Sequence, residues 1–229
     1  MRARASGPRR TGLTARKAFG VGRIVLAAAG IVGLVGNFGY TLGFTTFVTS
    51  NFFSYFTIQS TMATVVMFVL AAVIAFRRAQ DPSWLDTFRA LVTTYIILSG
   101  IVYAIIVVQA STRDYTMEVP WSNQLLHFLI PTCALLDWLF DPGKIRLPWR
   151  TLGWALIYPV LWFVYTLIRS PLVGWYPYFF LDARQVSLTE TVLYCAICVA
   201  LITGIAALLT GTSRLGPVHW WLRREGSPD

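Results

Sequence analysis

Two residue types that can act together in nucleophilic catalysis occur at matched positions in two apolar stretches of this chain. His127 lies about six residues into one stretch, and Thr57 lies a few residues into another. An imidazole that accepts the proton of a hydroxyl converts the hydroxyl oxygen into a nucleophile. The pattern therefore predicts a Thr57–His127 dyad. The alternative is packing, because buried Ser and Thr side chains often bond carbonyls of their own helix or groups of a neighbouring helix.

Each of these residues belongs to a polar stripe on one helical face, at 100° per residue. The stripe around the histidine is formed by Asn123, His127, Pro131, Ala134, Asp137 and Asp141. The stripe around the threonine is formed by Ser54, Thr57, Thr61 and Thr64. Pro131 has no N–H, so the carbonyl of His127 loses its helical partner and the helix can kink there.

Supporting groups are expected near the same end. Asp182 and Glu190 are acidic residues that could orient His127, and ion pairs with Arg169 or Arg184 are the alternative for both. The apolar, aromatic connection at 169–182 is predicted to lie in the membrane interface as a lid. The candidates for stabilising an oxyanion are Asn123, Tyr55 and Gln59.

Other chemistries lack the residues they require. The chain has two histidines, and only His127 lies inside an apolar stretch, so a two-histidine haem site is excluded. One histidine with scattered carboxylates does not make a tetrahedral zinc site. We predict neither a metal nor a cofactor. The three cysteines are interpreted as small buried apolar residues.

Composition identifies the elements that must position these residues. Of 229 residues, 56% are hydrophobic and 13% are charged, and the mean hydropathy is +0.61. Soluble domains carry about 25% charged residues, so a disordered, fibrous or cytosolic globular protein is excluded. The apolar runs are continuous, which favours helices over the alternating strands of a membrane barrel. We predict an all-α polytopic membrane protein with six transmembrane helices at 20–45, 54–76, 88–109, 121–140, 150–168 and 189–210.

The basic residues predict the orientation. With the N-terminus inside, sixteen Lys and Arg residues face the cytoplasm and three face outward. Both termini are thus predicted to be cytoplasmic, in a multi-pass protein of the cell membrane. The net charge of +9 is then topological, with some attraction to lipid headgroups, and nucleic-acid binding is not expected. The Arg-rich usage favours a bacterial source.

Three regions are expected along the chain. Residues 1–17 form a basic cytoplasmic arm predicted to be disordered. Residues 18–212 form the six-helix transmembrane domain, and residues 213–229 form a short cytoplasmic tail. Small residues at Gly30, Gly33, Gly36, Gly39 and Gly43 are interpreted as a close helix–helix seam in the first span.

The segment 51–60 and the pair Asn123 and His127, with Pro131 after them, resemble the androgen-induced gene and androgen-dependent TFPI-regulating family. Those multi-span membrane hydrolases cleave fatty acid esters of hydroxy fatty acids. They use an intramembrane Thr that follows an aromatic–Leu pair, and a His four residues after an Asn. The resemblance matches Tyr55-Phe56-Thr57 to the first motif and Asn123 and His127 to the second.

The resemblance implies an intramembrane hydrolase with a threonine nucleophile, acting on a lipid or long-chain acyl ester that arrives from the outer leaflet. Membrane lipids are then its surroundings, and the oligomeric state stays open. The alternative function is a non-catalytic transporter, channel or lipid-binding protein whose polar stripes line a cavity. A structural partner subunit is a third interpretation.

Overall fold

The computed structural model describes residues 9–111 and 119–215, with side chains placed within 14–108 and 119–215. All regular structure in these ranges is helical, and they contain no strand. In chain order the helices are α1 (Arg9–Thr41), α2 (Thr49–Phe52), α3 (Phe56–Arg77), α4 (Ser83–Ser111), α5 (Trp121–Gln124), α6 (Ile130–Phe140), α7 (Thr151–Val173) and α8 (Leu188–Thr212). A 3-10 turn at Phe179–Leu181 lies between α7 and α8.

Within the described residues, five helices are long and apolar enough to cross a membrane. They cover Thr14–Thr41, Phe56–Arg77, Ser83–Val108, Thr151–Val173 and Leu188–Thr212. Their outer faces expose large apolar side chains, including Val35 at 66%, Leu161 at 63% and Leu208 at 69%. Such a surface is unfavourable in water, so the architecture is compatible with a multi-pass membrane protein.

The predicted span at 121–140 is an interrupted helix. It consists of α5, a five-residue π-helical segment at Leu125–Leu129, and α6. In the π-helical segment the Ile130 N–H donates to the carbonyl of Leu125, five residues earlier. Pro131 follows directly and cannot donate to the carbonyl of His127. Of the six predicted spans, five correspond to long apolar helices of the described residues, and the 121–140 segment is this interrupted helical run.

The first helix also differs from its prediction. α1 begins at Arg9 and ends at Thr41, whereas the predicted span covered 20–45. Residues 9–17 of the arm that was predicted to be disordered are thus helical. Arg16 anchors this part of α1, because its guanidinium binds Asp81 and Asp141. Residues 1–8, and the tail beyond 215, lie outside the described residues.

Contacts between connections define two ends of the bundle. At the end that we call the charged end, the Asp81 N–H of the α3–α4 connection donates to the carbonyl of Gly143 in the α6–α7 connection, 2.9 Å away. At the opposite end, which we call the cavity end, Arg169 of α7 donates to the Asn51 side chain at 2.8 Å, just before α3. Successive long helices therefore run in alternating directions.

A buried ion-pair network lies at the charged end, and its side chains are at most 7% exposed. Its members are Arg16, Arg23, Arg89, Asp81, Asp86, Asp137 and Asp141. Arg89 contacts all four carboxylates, and Asp141 contacts all three arginines. Burial raises the pKa of Asp141, but the three guanidinium groups outweigh it and hold that pKa well below its usual value. The network joins α1, α4 and α6 to both connections at this end.

The small residues of α1 form part of the expected seam. A Cβ at Gly33 would lie 2.7 Å from the Leu126 side chain, and one at Gly36 would collide with the Trp121 ring. Only glycine lets α1 approach the 121–140 run this closely. Gly39 has open space around it, so the seam uses the middle of α1 and stops before its end.

Candidate functional site

A cavity of about 340 Å³ lies at the cavity end, enclosed by α1, α3, α4, the 121–140 run and the loop before α8. Both members of the predicted dyad, Thr57 and His127, line it. The other polar residues of its lining include Asn37, Tyr40, Tyr55, Ser99, Tyr103, Asn123 and Tyr178. The fold therefore brings two residues from separate helical segments to one partly enclosed space.

The Thr57 hydroxyl bonds a side chain of another helix. Thr57 lies in the first turn of α3, is 8% exposed, and has its Oγ1 2.7 Å from the Oγ of Ser99 on α4. Hydroxyls that bond carbonyls three or four residues earlier belong to Ser54, Ser60, Thr61 and Thr64. Thr57 therefore differs from Ser60, Thr61 and Thr64 in that its hydroxyl bonds a neighbouring helix.

The imidazole of His127 is held in one orientation. Its Nδ1 lies 3.0 Å from the carbonyl oxygen of Asn123, and its ring stacks on Tyr103 with centroids 3.8 Å apart. A carbonyl can only accept a hydrogen bond, so Nδ1 is the donor and Nε2 is the basic nitrogen of the neutral ring. This arrangement leaves His127 suited to accept a proton at Nε2.

The backbone around His127 is shaped by Pro131 and Gly100. Pro131 removes the N–H that would bond the His127 carbonyl, and that carbonyl packs directly against Gly100 of α4, where any Cβ would collide with it. A π-helical segment is uncommon and is frequent at functional sites. Sequence reasoning identified the proline, but Gly100 lies in another span and carried no signal of its own.

Asn123 links His127 to the first helix. Its side-chain Oδ1 accepts a hydrogen bond of 2.5 Å from the Nδ2 of Asn37, which is 7% exposed. The two amides fix the start of the 121–140 run against α1, and the run holds the imidazole. Sequence reasoning missed Asn37, although a lone amide in an apolar stretch is the kind of costly polar residue that marks a site.

Residues of the aromatic connection form part of the cavity wall. Tyr178 and Phe179 line it, and the Tyr178 ring packs against Tyr55 and Trp162. Burial raises the pKa of the Tyr178 phenol well above its ordinary value, and its hydroxyl lies near Thr57. The phenol therefore keeps its proton at neutral pH and is a hydrogen-bond donor beside the candidate nucleophile.

The other two candidate oxyanion donors, Tyr55 and Gln59, lie in different environments. Tyr55 lines the cavity. Gln59 does not: its Nε2 donates to the Phe53 carbonyl at 2.9 Å, and its Oε1 accepts from the Tyr158 hydroxyl at 2.7 Å. Gln59 therefore joins α3 to α7 outside the site.

The acidic candidates have local partners. Asp182 binds the Arg184 guanidinium at 2.8 and 2.9 Å, and this arginine holds the pKa of the carboxyl well below its usual value. Glu190 and Ser187 form a capping box at the start of α8. The Nδ1 partner of His127 is the Asn123 carbonyl, so the orienting role predicted for Asp182 is filled by the backbone.

Among the hydrogen bonds of the described residues, none joins Thr57 to His127, and the Thr57 hydroxyl is paired with Ser99. Catalytic hydrogen bonds are often long or absent in unliganded sites and form when substrate binds. The arrangement can supply a hydroxyl, a basic nitrogen and hydrogen-bond donors around one cavity.

In comparisons with known proteins, no protein-family model, no curated protein and no solved structure matches this chain. The resemblance to the membrane threonine hydrolases therefore rests on the quoted residues alone.

Proposed function

We propose that the chain is an intramembrane hydrolase of lipid esters, with Thr57 as nucleophile and His127 as general base. The observation that carries the proposal is that Thr57 and His127 line one cavity, with the Thr57 hydroxyl bonded to Ser99 of a neighbouring helix. The resemblance points to fatty acid esters of hydroxy fatty acids as the substrate class.

The reaction follows the acyl-transfer scheme of serine hydrolases. Thr57 Oγ1 releases Ser99, passes its proton to His127 Nε2 and attacks the ester carbonyl. The resulting tetrahedral oxyanion collapses, and His127 returns the proton to the departing alkoxide. Water then loses a proton to His127 and attacks the acyl-threonine, which releases the fatty acid and restores Thr57.

Two donors suit the oxyanion. The Tyr178 phenol retains its proton and lies beside Thr57. Asn123 accepts from Asn37 through Oδ1, so its own amide N–H groups are not used in that contact. Donors preset in a water-poor cavity stabilise developing charge strongly, which makes Tyr178 and Asn123 the preferred candidates over Gln59.

We infer six membrane crossings, with the interrupted 121–140 run as the fourth and the charged end in the cytoplasm. Arg16, Arg23 and Arg89 are neutralised in the ion-pair network, yet the remaining Lys and Arg still favour this side. A reporter at the C-terminus should read inside and one inserted after Ser111 should read outside. Readings on the same side would contradict six crossings.

Hydrolysis of a long-chain ester of a hydroxy fatty acid by the purified protein tests the function. Thr57→Ala should lose the activity, and His127→Ala should lower it by about 10²- to 10⁴-fold, as expected when a general base is removed. Thr57→Ser keeps the oxygen and should retain part of the rate.

The matched control is Thr64→Ala. Thr64 is on the same helix, is fully buried and bonds only the Ser60 carbonyl, so its removal should leave hydrolysis unchanged. A folded Thr57→Ala variant that hydrolyses at the wild-type rate would exclude the dyad.

The Thr57–Ser99 hydrogen bond favours one second candidate, a lipid-binding protein without catalysis. In that case the paired hydroxyls are fixed ligands for a lipid ester or headgroup. Such a protein would bind the ester and release it intact. Thr57→Ser would preserve binding, and neither the variant nor the wild type would hydrolyse the ester.

A further inference from the structure

A second cavity, of about 190 Å³, lies between α4, α7 and α8. Its walls are almost entirely apolar, and they include Leu98 of α4 and Cys198 and Ile202 of α8. Small side chains at Cys195 and Cys198 leave the space open along α8. Nothing in the proposed chemistry uses this cavity.

The apolar cavity adjoins the polar one. Ser99, Val102 and Tyr178 line both of them, and Ser99 is the hydrogen-bond partner of Thr57. These three side chains therefore belong to the walls of both spaces, and one of them contacts the candidate nucleophile.

The apolar cavity also reaches the outer surface of the bundle. Val160 of α7 and Val199 of α8 line it and are 51% and 47% exposed. Pro159, beside Val160, also lines it and leaves one carbonyl of α7 without its usual donor. This side of the bundle faces lipid in the proposed orientation, so the opening is a lateral one.

We propose that this apolar cavity binds the acyl chain of the substrate, which enters from the membrane between α7 and α8. The proposal rests on the proposed function for the position of the ester group. The occupant is a single aliphatic chain because an apolar space of this size, lined by neither charge nor amide, favours burial of methylene groups. In this arrangement the junction between the acyl chain and the ester group lies beside Tyr178 and Ser99.

Photo-crosslinking in lipid nanodiscs tests the binding without hydrolysis. The probe is a single-chain lipid whose ester is replaced by an ether, with a diazirine either beside the ether or in mid-chain. The mid-chain probe should label peptides that contain Cys198–Val199 and Pro159–Val160. The probe with the diazirine beside the ether should label the Thr57 and Ser99 peptides, and excess unlabelled single-chain ester should remove both signals.

Cys198→Trp should fill the cavity and abolish mid-chain labelling of the α7 peptide. The matched control is Cys133→Trp, since Cys133 lines a separate groove between α1 and α6. Labelling that ignores diazirine position and spreads over lipid-facing Leu161 and Leu208 would overturn the proposal.

The two proposals fail separately. If labelling depends on diazirine position but the wild-type protein hydrolyses no ester, acyl-chain binding in the cavity is supported and the catalytic function is contradicted. A second outcome is that Cys198→Trp lowers the hydrolysis of long-chain and short-chain esters equally and that labelling is not localised. This outcome would contradict acyl-chain binding in the cavity and leave the hydrolase function standing. A loss confined to long-chain esters in Cys198→Trp supports both.

Discussion

Thr57 and His127 are each fixed by a contact that the helical pattern could not specify. A wheel places both residues on inward faces, but it gives no partner for either side chain. The structure supplies Ser99 for the threonine and the Asn123 carbonyl for the histidine. Sequence analysis paired Thr57 with His127, and both line one cavity. Their hydrogen-bond partners depend on how the helices pack.

Ser99→Ala is expected to slow hydrolysis by up to about tenfold, because a single hydrogen bond that positions a hydroxyl contributes about 0.5–1.5 kcal/mol. The nucleophile stays in place, so the rate should fall without being lost. Steady-state kinetics on the long-chain ester measure the effect. A loss as complete as that of Thr57→Ala would assign the nucleophile to Ser99 instead.

The elements were predicted more fully than their interruptions. Continuous apolar runs located α3, α4, α7 and α8. Pro131 indicated a kink in the 121–140 run, but not the π-helical segment before it, whose His127 carbonyl packs against Gly100. Periodicity at 3.6 residues contains no information about a local change to five-residue hydrogen bonding.

Gly100→Ala should therefore disturb the site more than the fold. The added Cβ would meet the His127 carbonyl, and overpacking of this kind costs about 1–3 kcal/mol. We expect lower thermal stability and a larger fractional loss of hydrolysis than of bound lipid.

Gly204→Ala is the control for this substitution. Gly204 lies in α8 with nothing near its added Cβ, so alanine should stabilise the helix by about 0.5–1 kcal/mol and leave activity intact. Equal effects of the two substitutions on activity would contradict the role assigned to Gly100.

The whole molecule is held by different chemistry at its two ends. The cavity end is closed by aromatic packing and single hydrogen bonds, and the charged end by the seven-residue ion-pair network. Sequence analysis counted Arg16, Arg23 and Arg89 as signs of orientation, because charge counting ignores partners. Their carboxylates lie up to 125 positions away along the chain, and only the assembled bundle reveals the pairs.

Arg89→Met tests whether the ion-pair network stabilises the helix bundle. The substitution leaves four buried carboxylates with two guanidinium groups, and breaking a buried pair costs about 3–5 kcal/mol. A large drop in melting temperature is expected in detergent. Arg146→Met, at an exposed position of the α6–α7 connection, should change stability by less than about 0.5 kcal/mol. Equal melting temperatures for the two variants would show that the network does not stabilise the bundle.

Covalent labelling by an activated long-chain phosphonate, mapped by mass spectrometry, tests the catalytic account most directly. A phosphonate reacts with a hydroxyl that a neighbouring base has activated. The account predicts an adduct on Thr57, lost in His127→Ala and retained in Thr64→Ala. An adduct on Ser99 alone, labelling of Thr57 that does not depend on His127, or no adduct on a folded protein would contradict it.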